Sequence, residues 1–277
     1  MKQKGPPAMP TFSLLTLNCF GVPTPTTHAR LLTLARELNA RDDQVVCLQE
    51  VQAHAYRRLL VRACASYSHA AYTPFIHAPK GGLLTLARLP IVESQFTLYR
   101  SRQVPYPLSL MDWLLHKGML ATRLEYAGVP IVVLNTHLNA NYSGNWDRRS
   151  RYAQGEADQL RELAEVVRAQ SPEALVVAAG DFNFPRASWL YDQFLAESGM
   201  TDPLAGDTRP TVRAPFSFSE RYSLPIDFAF VRAPRLAGLR IESELRFVEQ
   251  VLFSRRPRFL SDHMGVELRV IWDVTPV

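Results

Sequence analysis

Seven short apolar runs, at 12–17, 45–48, 83–87, 131–134, 175–178, 228–231 and 266–271, punctuate this chain. Each is four to six residues long, the length of a strand buried on both faces of a sheet. Two other segments repeat at helical spacing. The first begins near Thr26 or Thr27 and puts Leu31, Leu34, Ala35 and Leu38 on one face. The second, from about 147 to 170, carries Leu160, Leu163, Ala164 and Val167 on one stripe and ends at Ser171 and Pro172, where proline disfavours helix in the residue before it. Proline-rich stretches at 22–25, 104–107 and 203–215 read as loops. Strands interleaved with helices predict an α/β fold.

With 277 residues, 47% of them hydrophobic, the chain can bury a substantial core. No repeat or Gly/Ser linker divides it, so a single domain is expected over 11–277, behind a disordered segment 1–10. That start lacks the apolar region of a secretory signal, and no run approaches the ~20 residues of a membrane span. A soluble, cytoplasmic protein is expected. Cys19, Cys47 and Cys64 include no CxxC pair, which argues against a zinc cluster. Cys19 and Cys47 lie in apolar runs and read as small core residues. The net charge of +5 suits an anionic partner, although the excess is small and the scattered arginines read first as a solubility feature.

Polar groups sit at the mouths of these runs. Asn18, Glu50, His137, Asp181, Asp227 and Asp262 each lie at or beside the end of an apolar run, where loops carry side chains without disturbing a core. Glu50 closes the run in CLQEV. A carboxylate buried there needs either an arginine partner or a cation. Asn18, in LNCFG, would add an amide oxygen, and the pair suits a hard cation such as magnesium better than zinc. His137 follows its run in NTHLNANY and taken alone reads as a hydrogen-bonded core residue. In GDFNF, Asp181 and Asn183 are two apart, so in extended backbone both face one side. They would orient a water and a phosphoryl oxygen, although an Asx turn fits the same residues. In SDHMGVE, adjacent side chains point apart, so Asp227 of PIDFAF is the better candidate to orient His263, leaving Asp262 freer for a metal.

Taken in order, LNCFG, LQEV, NTH, GDFNF, IDFAF and SDH resemble the endonuclease/exonuclease/phosphatase superfamily across residues 14–270. The resemblance implies a DNase-like four-layer α/β/β/α sandwich of two packed mixed β-sheets, with one site at the sheet ends. It implies Mg2+, with Mn2+ as a substitute, held by Glu50 with Asn18 and Asp262 nearby. His137 and His263 would flank a scissile phosphate, Asp227 would orient His263, and Asp181 and Asn183 would position water and phosphate. The implied activity is phosphodiester hydrolysis, with either His263 or Asp181 taking the proton from water. The segments 81–91, 112–120 and 136–142, the last followed by RYAQ at 151–154, are similar to neutral sphingomyelinases, whose substrate is a lipid headgroup. In that reading the apolar segment 106–115 would make peripheral membrane contact, or would simply cover core, and Lys117 would hold a phosphate oxygen. A nuclease acting on DNA or RNA, with Arg148, Arg149 and Arg151 or Arg255, Arg256 and Arg258 along a phosphate backbone, and a phosphomonoesterase are the alternatives.

Overall fold

The computed structural model describes residues 9–101, 116–213, 223–253 and 256–273. All seven apolar runs are strands. The order is β1 (Thr11–Asn18), α1 (Thr27–Asn39), β2 (Val45–Gln49), α2 (His54–Ala63), β3 (His69–Ala71), β4 (Leu84–Ala87), β5 (Glu93–Leu98), β6 (Gly118–Tyr126), β7 (Val129–His137), α3 (Arg151–Arg168), β8 (Leu175–Asp181), α4 (Trp189–Ser198), β9 (Asp227–Arg232), β10 (Arg240–Arg246), β11 (Val251–Phe253), β12 (Arg256–Arg258) and β13 (Gly265–Ile271). The first sheet runs β10-β13-β1-β2-β4-β3 and the second β5-β6-β7-β8-β9. Both are mixed: β1 pairs with β2, and β7 with β8, in parallel, and the remaining pairs are antiparallel. β11 and β12 form a separate two-stranded ribbon.

Strand alternation builds the layers. In β1, Phe12 and Leu14 join Val45, Cys47, Ile131, Val133, Leu175, Val177 and Ala229 in a core between the two sheets. The alternate residues Leu15 and Leu17 pack with Leu31, Leu34, Leu38 and Leu60 of α1 and α2. Behind the second sheet, Val132, Leu134, Val176, Phe228 and Phe230 meet Leu160, Leu163 and Phe194 of α3 and α4. This is the expected four-layer order of helices, sheet, sheet and helices.

The differences from expectation are local. α3 begins at Arg151, not near Asp147, because Asn141–Ser143 and Asn145–Asp147 side-chain-to-backbone bonds hold 141–147 in turns. Of segment 1–10, residues 1–8 lie outside the described residues, but Pro10 is bound: its carbonyl accepts from Trp272 N at 3.2 Å. Segment 106–115 and Arg255 also lie outside the described residues. None of the seven apolar runs and two helical stripes falls on α2, α4, β3, β5, β6, β10, β11 or β12. β5 exposes its first three residues in succession and β10 exposes alternate ones, so neither has a continuous apolar run.

Candidate active site

Towards one end of the sandwich the core between the sheets turns polar, on the same side of each strand that holds Leu14, Cys47 and Val133. Gln49 Nε2 donates to Thr16 Oγ1 at 3.0 Å and to Asn135 Oδ1 at 2.8 Å, and Asn135 Nδ2 donates to Leu84 O at 3.2 Å. These residues are fully buried and tie sheet to sheet beneath the site.

Register then gathers motifs that are far apart in sequence. His137 lies opposite Asp181 across β7–β8, and Asp181 lies opposite Asp227 across β8–β9. The three side chains therefore form one row across the second sheet. Gly180 permits it: at φ 154° the strand presses so close to β7 that a Cβ would stand 1.8 Å from Thr136 O. From the first sheet, Asn18 ends β1 opposite Gln49. By alternation Glu50 would face the helices with Val46 and Leu48. Its left-handed backbone, φ 57°, interrupts the alternation, and its Oε1 accepts from Asn18 Nδ2 at 3.0 Å. Gly21 allows this turn to close against the β1 loop, since a Cβ there would lie 2.1 Å from Glu50 O.

Asp181 is the hub. Its Oδ2 accepts from Asn18 Nδ2 at 3.0 Å and lies 3.4 Å from His137 Nε2 and 3.8 Å from His263 Nε2. His263 Nδ1 is 2.9 Å from Asp227 Oδ2, the pairing that the strand geometry of SDH favoured. Asp262 and Lys117 are close enough to Glu50 for their charges to be felt there. Lys117 is buried and donates to Leu138 O at 3.3 Å.

Two details differ from the sequence reading. Asn18 presents its amide nitrogen, not its oxygen, to Glu50, and its Oδ1 accepts from Phe20 N at 3.0 Å. As hydrogen-bonded here it steadies the carboxylates rather than offering a metal an oxygen. Asn183 does not extend alongside Asp181. It is left-handed, φ 57°; its N–H donates to Asp181 Oδ1 at 3.0 Å in an Asx turn, and its Nδ2 donates to Leu138 O at 2.8 Å.

The electrostatics divide the two histidines. Burial pushes His137 well below its ordinary pKa, and the positive charges of Lys117 and His263 push the same way, so it stays neutral. Burial works against a charged His263 too, but Asp227 and Asp181 outweigh it and hold its pKa well above the ordinary value. Burial raises Asp181 to about 7, opposed by the charge on His263. Glu50 is raised by burial and then by Asp262. Among the described residues no arginine makes an ion pair with Glu50, so the arginine-partner reading of this carboxylate does not hold. Half-buried carboxylates that repel each other, with the positive charges of His263 and Lys117 offsetting only part of that repulsion, fit a divalent ion. Asp181, Asp227 and His263 also place ligand atoms within 4.8 Å of one another, but their mutual contacts already suit an acid–base unit.

Several supporting residues escaped the sequence reading. Arg30 is buried on the apolar face of α1 and donates to Cys19 O at 2.6 Å, to Leu260 O at 2.7 Å and to Phe20 O, clamping the loops that carry Asn18 and Asp262. A charge on an apolar stripe was the signal. Ser261 Oγ donates to Asn18 O at 2.5 Å and accepts from His263 N at 3.1 Å. Thr211 Oγ1 accepts from Asp227 N at 3.0 Å. Arg213 donates to Ser261 O and His263 O at 2.9 and 2.8 Å.

Residues 15–263 match the model of the Endonuclease/Exonuclease/phosphatase family. The chain belongs to this family. Among relatives of the member described here, a putative neutral sphingomyelinase of Drosophila melanogaster is 27% identical over 253 residues, covering 86% of this chain and 56% of that protein. The inositol phosphosphingolipids phospholipase C of Saccharomyces cerevisiae is 27% identical over 189 residues, 63% of this chain and 38% of the other. This chain thus spans roughly half or less of the curated relatives it matches. Solved structures share the fold: SmcL has a TM-score of 0.72 at 17% identity, covering 95% of this chain and 99% of that one. D. rerio TDP2 complexed with single strand DNA product has a TM-score of 0.73 at 19% identity, covering 94% and 98%.

Proposed function

We propose that this family member is a Mg2+-dependent phosphodiester hydrolase, Mn2+ serving in place of Mg2+, that acts as a neutral sphingomyelinase-like enzyme on a lipid headgroup linkage. One observation carries the proposal: Glu50, Asn18, Asp181, His263 and Asp227, from both sheets, are joined through successive contacts of 2.9–3.8 Å. The named sphingolipid hydrolases among the relatives favour the lipid substrate.

Glu50 and Asp262 would hold the ion, their oxygens being the hard donors magnesium prefers. When bound, a divalent ion supplies Lewis-acid stabilisation to a non-bridging phosphate oxygen and to the departing alkoxide. The chain's own groups do the rest. Asp181, steadied by Asn18 and the N–H of Asn183, holds the attacking water. As the water oxygen bonds to phosphorus and the bond to the leaving oxygen breaks, unprotonated His263 takes the water's proton at Nε2, so turnover needs a pH at which part of this raised-pKa histidine has lost its own proton. Asp227 fixes the His263 tautomer and stabilises its positive charge. Neutral His137 donates a hydrogen bond to the phosphoryl oxygens, and Lys117 steadies their charge. Asn183 has one amide hydrogen beyond its bond to Leu138 to offer the same oxygens.

Hydrolysis of bis-p-nitrophenyl phosphate, sphingomyelin, phosphatidylcholine and abasic-site DNA, each with Mg2+ and with EDTA, tests this. The expected result is Mg2+-dependent turnover with sphingolipid preferred. His263→Ala should lose at least ~100-fold, the low end for a general base, without rescue by metal. Glu50→Ala should recover part of its loss as Mg2+ is raised. Turnover insensitive to EDTA removes the metal, and preferred cleavage of DNA removes the lipid reading.

A further inference from the structure

Gln49 and Asn135 meet in the gap between the two sheets, just beneath the site. Gln49 is the residue before Glu50 and lies opposite Asn18 in the β1–β2 register. Asn135 lies two residues before His137 on β7, so both point to the same side of that strand. One amide therefore sits at the root of the groups proposed to hold the metal, the other at the root of the row that moves the proton. Their bond, from Gln49 Nε2 to Asn135 Oδ1 at 2.8 Å, joins the two halves. Asn135 Nδ2 also donates to Leu84 O at 3.2 Å and to Thr85 Oγ1 at 3.3 Å on β4, and Gln49 Nε2 is steadied by Thr16 Oγ1 of β1. Directly or through Gln49, one side chain of the second sheet is locked to β1, β2 and β4.

Stability does not call for this pair. Gln49, Asn135, Thr16 and Thr85 are fully buried, in a gap that Cys47 and Val133 fill with apolar side chains. Apolar residues of similar size would fill the rest of it with no amide to satisfy. Replacing both partners of a buried hydrogen bond in that way is close to neutral for folding. The pair even carries a cost, since Gln49 Oε1 is buried and accepts no hydrogen bond among the described residues. What amides add is direction. Sheets stacked roughly 10 Å apart on apolar side chains alone are held by a non-directional attraction, which does not stop one sliding on the other by a fraction of an ångström. A donor and an acceptor at fixed length do stop it. The chemistry is sensitive on that scale, since a misplacement of about 1 Å can cost about 100-fold in rate.

We propose that Gln49 and Asn135 are a positioning pair that sets the separation between the metal-holding and proton-moving halves of the site, acting through Glu50 on one side and through His137 and its neighbour Asp181 on the other. This role rests on the hydrolase reading and adds to it how the two halves are kept in register.

Hydrolysis of bis-p-nitrophenyl phosphate by the full chain in Mg2+ tests this, beside isothermal titration with Mg2+ alone. Gln49→Met/Asn135→Leu removes the bond at similar volume. It should lose roughly 100-fold in kcat. It should still bind Mg2+ within roughly threefold of the wild type, because Glu50 and Asp262 both extend from strands of the first sheet. Gln49→Asn shortens one arm and should lose at least tenfold in kcat. Gln49→Asn/Asn135→Gln restores the summed length and should regain at least threefold over that single variant. A kcat within threefold of the wild type in the Met/Leu variant overturns the proposal. So does a Mg2+ affinity that falls in step with kcat, the result of a merely loosened fold. If the Met/Leu variant does not fold, the length variants decide: a swapped pair no faster than Gln49→Asn overturns it. A wild type that leaves the phosphodiester intact removes the hydrolase reading and this role with it, whereas turnover indifferent to the pair removes the role alone.

Discussion

His263 and His137 share a carboxylate neighbour, Asp181, yet their surroundings push their pKa values in opposite directions. The difference comes from Asp227, which contacts only the first of them among the described residues. Separated pKa values assign separate tasks: the neutral ring donates, and the ring backed by a carboxylate moves a proton. Asp227→Asn keeps the shape but removes the charge. It should lower kcat by roughly 10²–10⁴ fold, the range of a disabled acid–base pair. Because His263 acts as base only when unprotonated and Asp227 raises its pKa, the acid limb of kcat/KM should move to lower pH in this variant. An acid limb that stays in place would mean that Asp227 does not act through His263. Arg30, by contrast, gives its hydrogen bonds among the described residues to backbone carbonyls and lies over the Phe20 ring. It is a positioning group, visible in sequence only as a charge on an apolar helical face.

The element that sets the active-site row is β8. Packing leaves no room for a side chain at Gly180, so Gly180→Ala must push β8 away from β7 and take Asp181 out of line with His137. Urea denaturation should show a loss of more than about 4 kcal/mol, the exceptional range for a single substitution. A loss under 1 kcal/mol would mean that the strands part easily. α3 brings a different liability. Glu156 is fully buried, its carboxyl oxygens make no hydrogen bond of good geometry, and burial holds its pKa well above the ordinary carboxylate value. A carboxyl raised on folding contributes stability that is present below its unfolded pKa and is lost as pH rises through its folded one. Glu156→Gln removes that loss. Its Tm should exceed the wild type's by about 2–4 °C at pH 8, the shift for 1 kcal/mol in a domain of this class, and match it near pH 4. Equal curves at both pH values would show that Glu156 is already neutral throughout or has found a partner.

Across the whole molecule, two sheets close on each other and bring repelling carboxylates to one end of their shared core. Glu50 feels Asp262 as a neighbouring like charge. Folding therefore builds an electrostatic cost that a divalent ion relieves, and ligand linkage makes the relief measurable. At 100 times its Kd, Mg2+ should stabilise the fold by about 2.7 kcal/mol, reversed by EDTA. Glu50→Gln should raise Tm in metal-free buffer and lose most of the Mg2+ response. A wild-type Tm indifferent to Mg2+ would place the ion elsewhere or remove it. Among the described residues no helix is long and apolar enough to cross a membrane.

The amino-acid sequence alone determined seven strands with continuous apolar runs and the two amphipathic helices, α1 and α3, because an apolar run or stripe is local and periodicity reports which faces are covered. β6, largely buried but broken by Thr122, Arg123 and Glu125, showed no such run. The sequence also determined which strand ends carry acids, amides and imidazoles. Edge strands such as β5 and β10, half-exposed, left no such trace. Which groups meet was decided by tertiary structure. Asn18 and Asp181 are 163 positions apart, and only cross-strand register and sheet-on-sheet packing make them neighbours. The same holds for the buried Gln49–Asn135 bond and for the left-handed turn that swings Glu50 into the site. Such contacts depend on closing long loops, and residue spacing carries no record of where a closed loop will land.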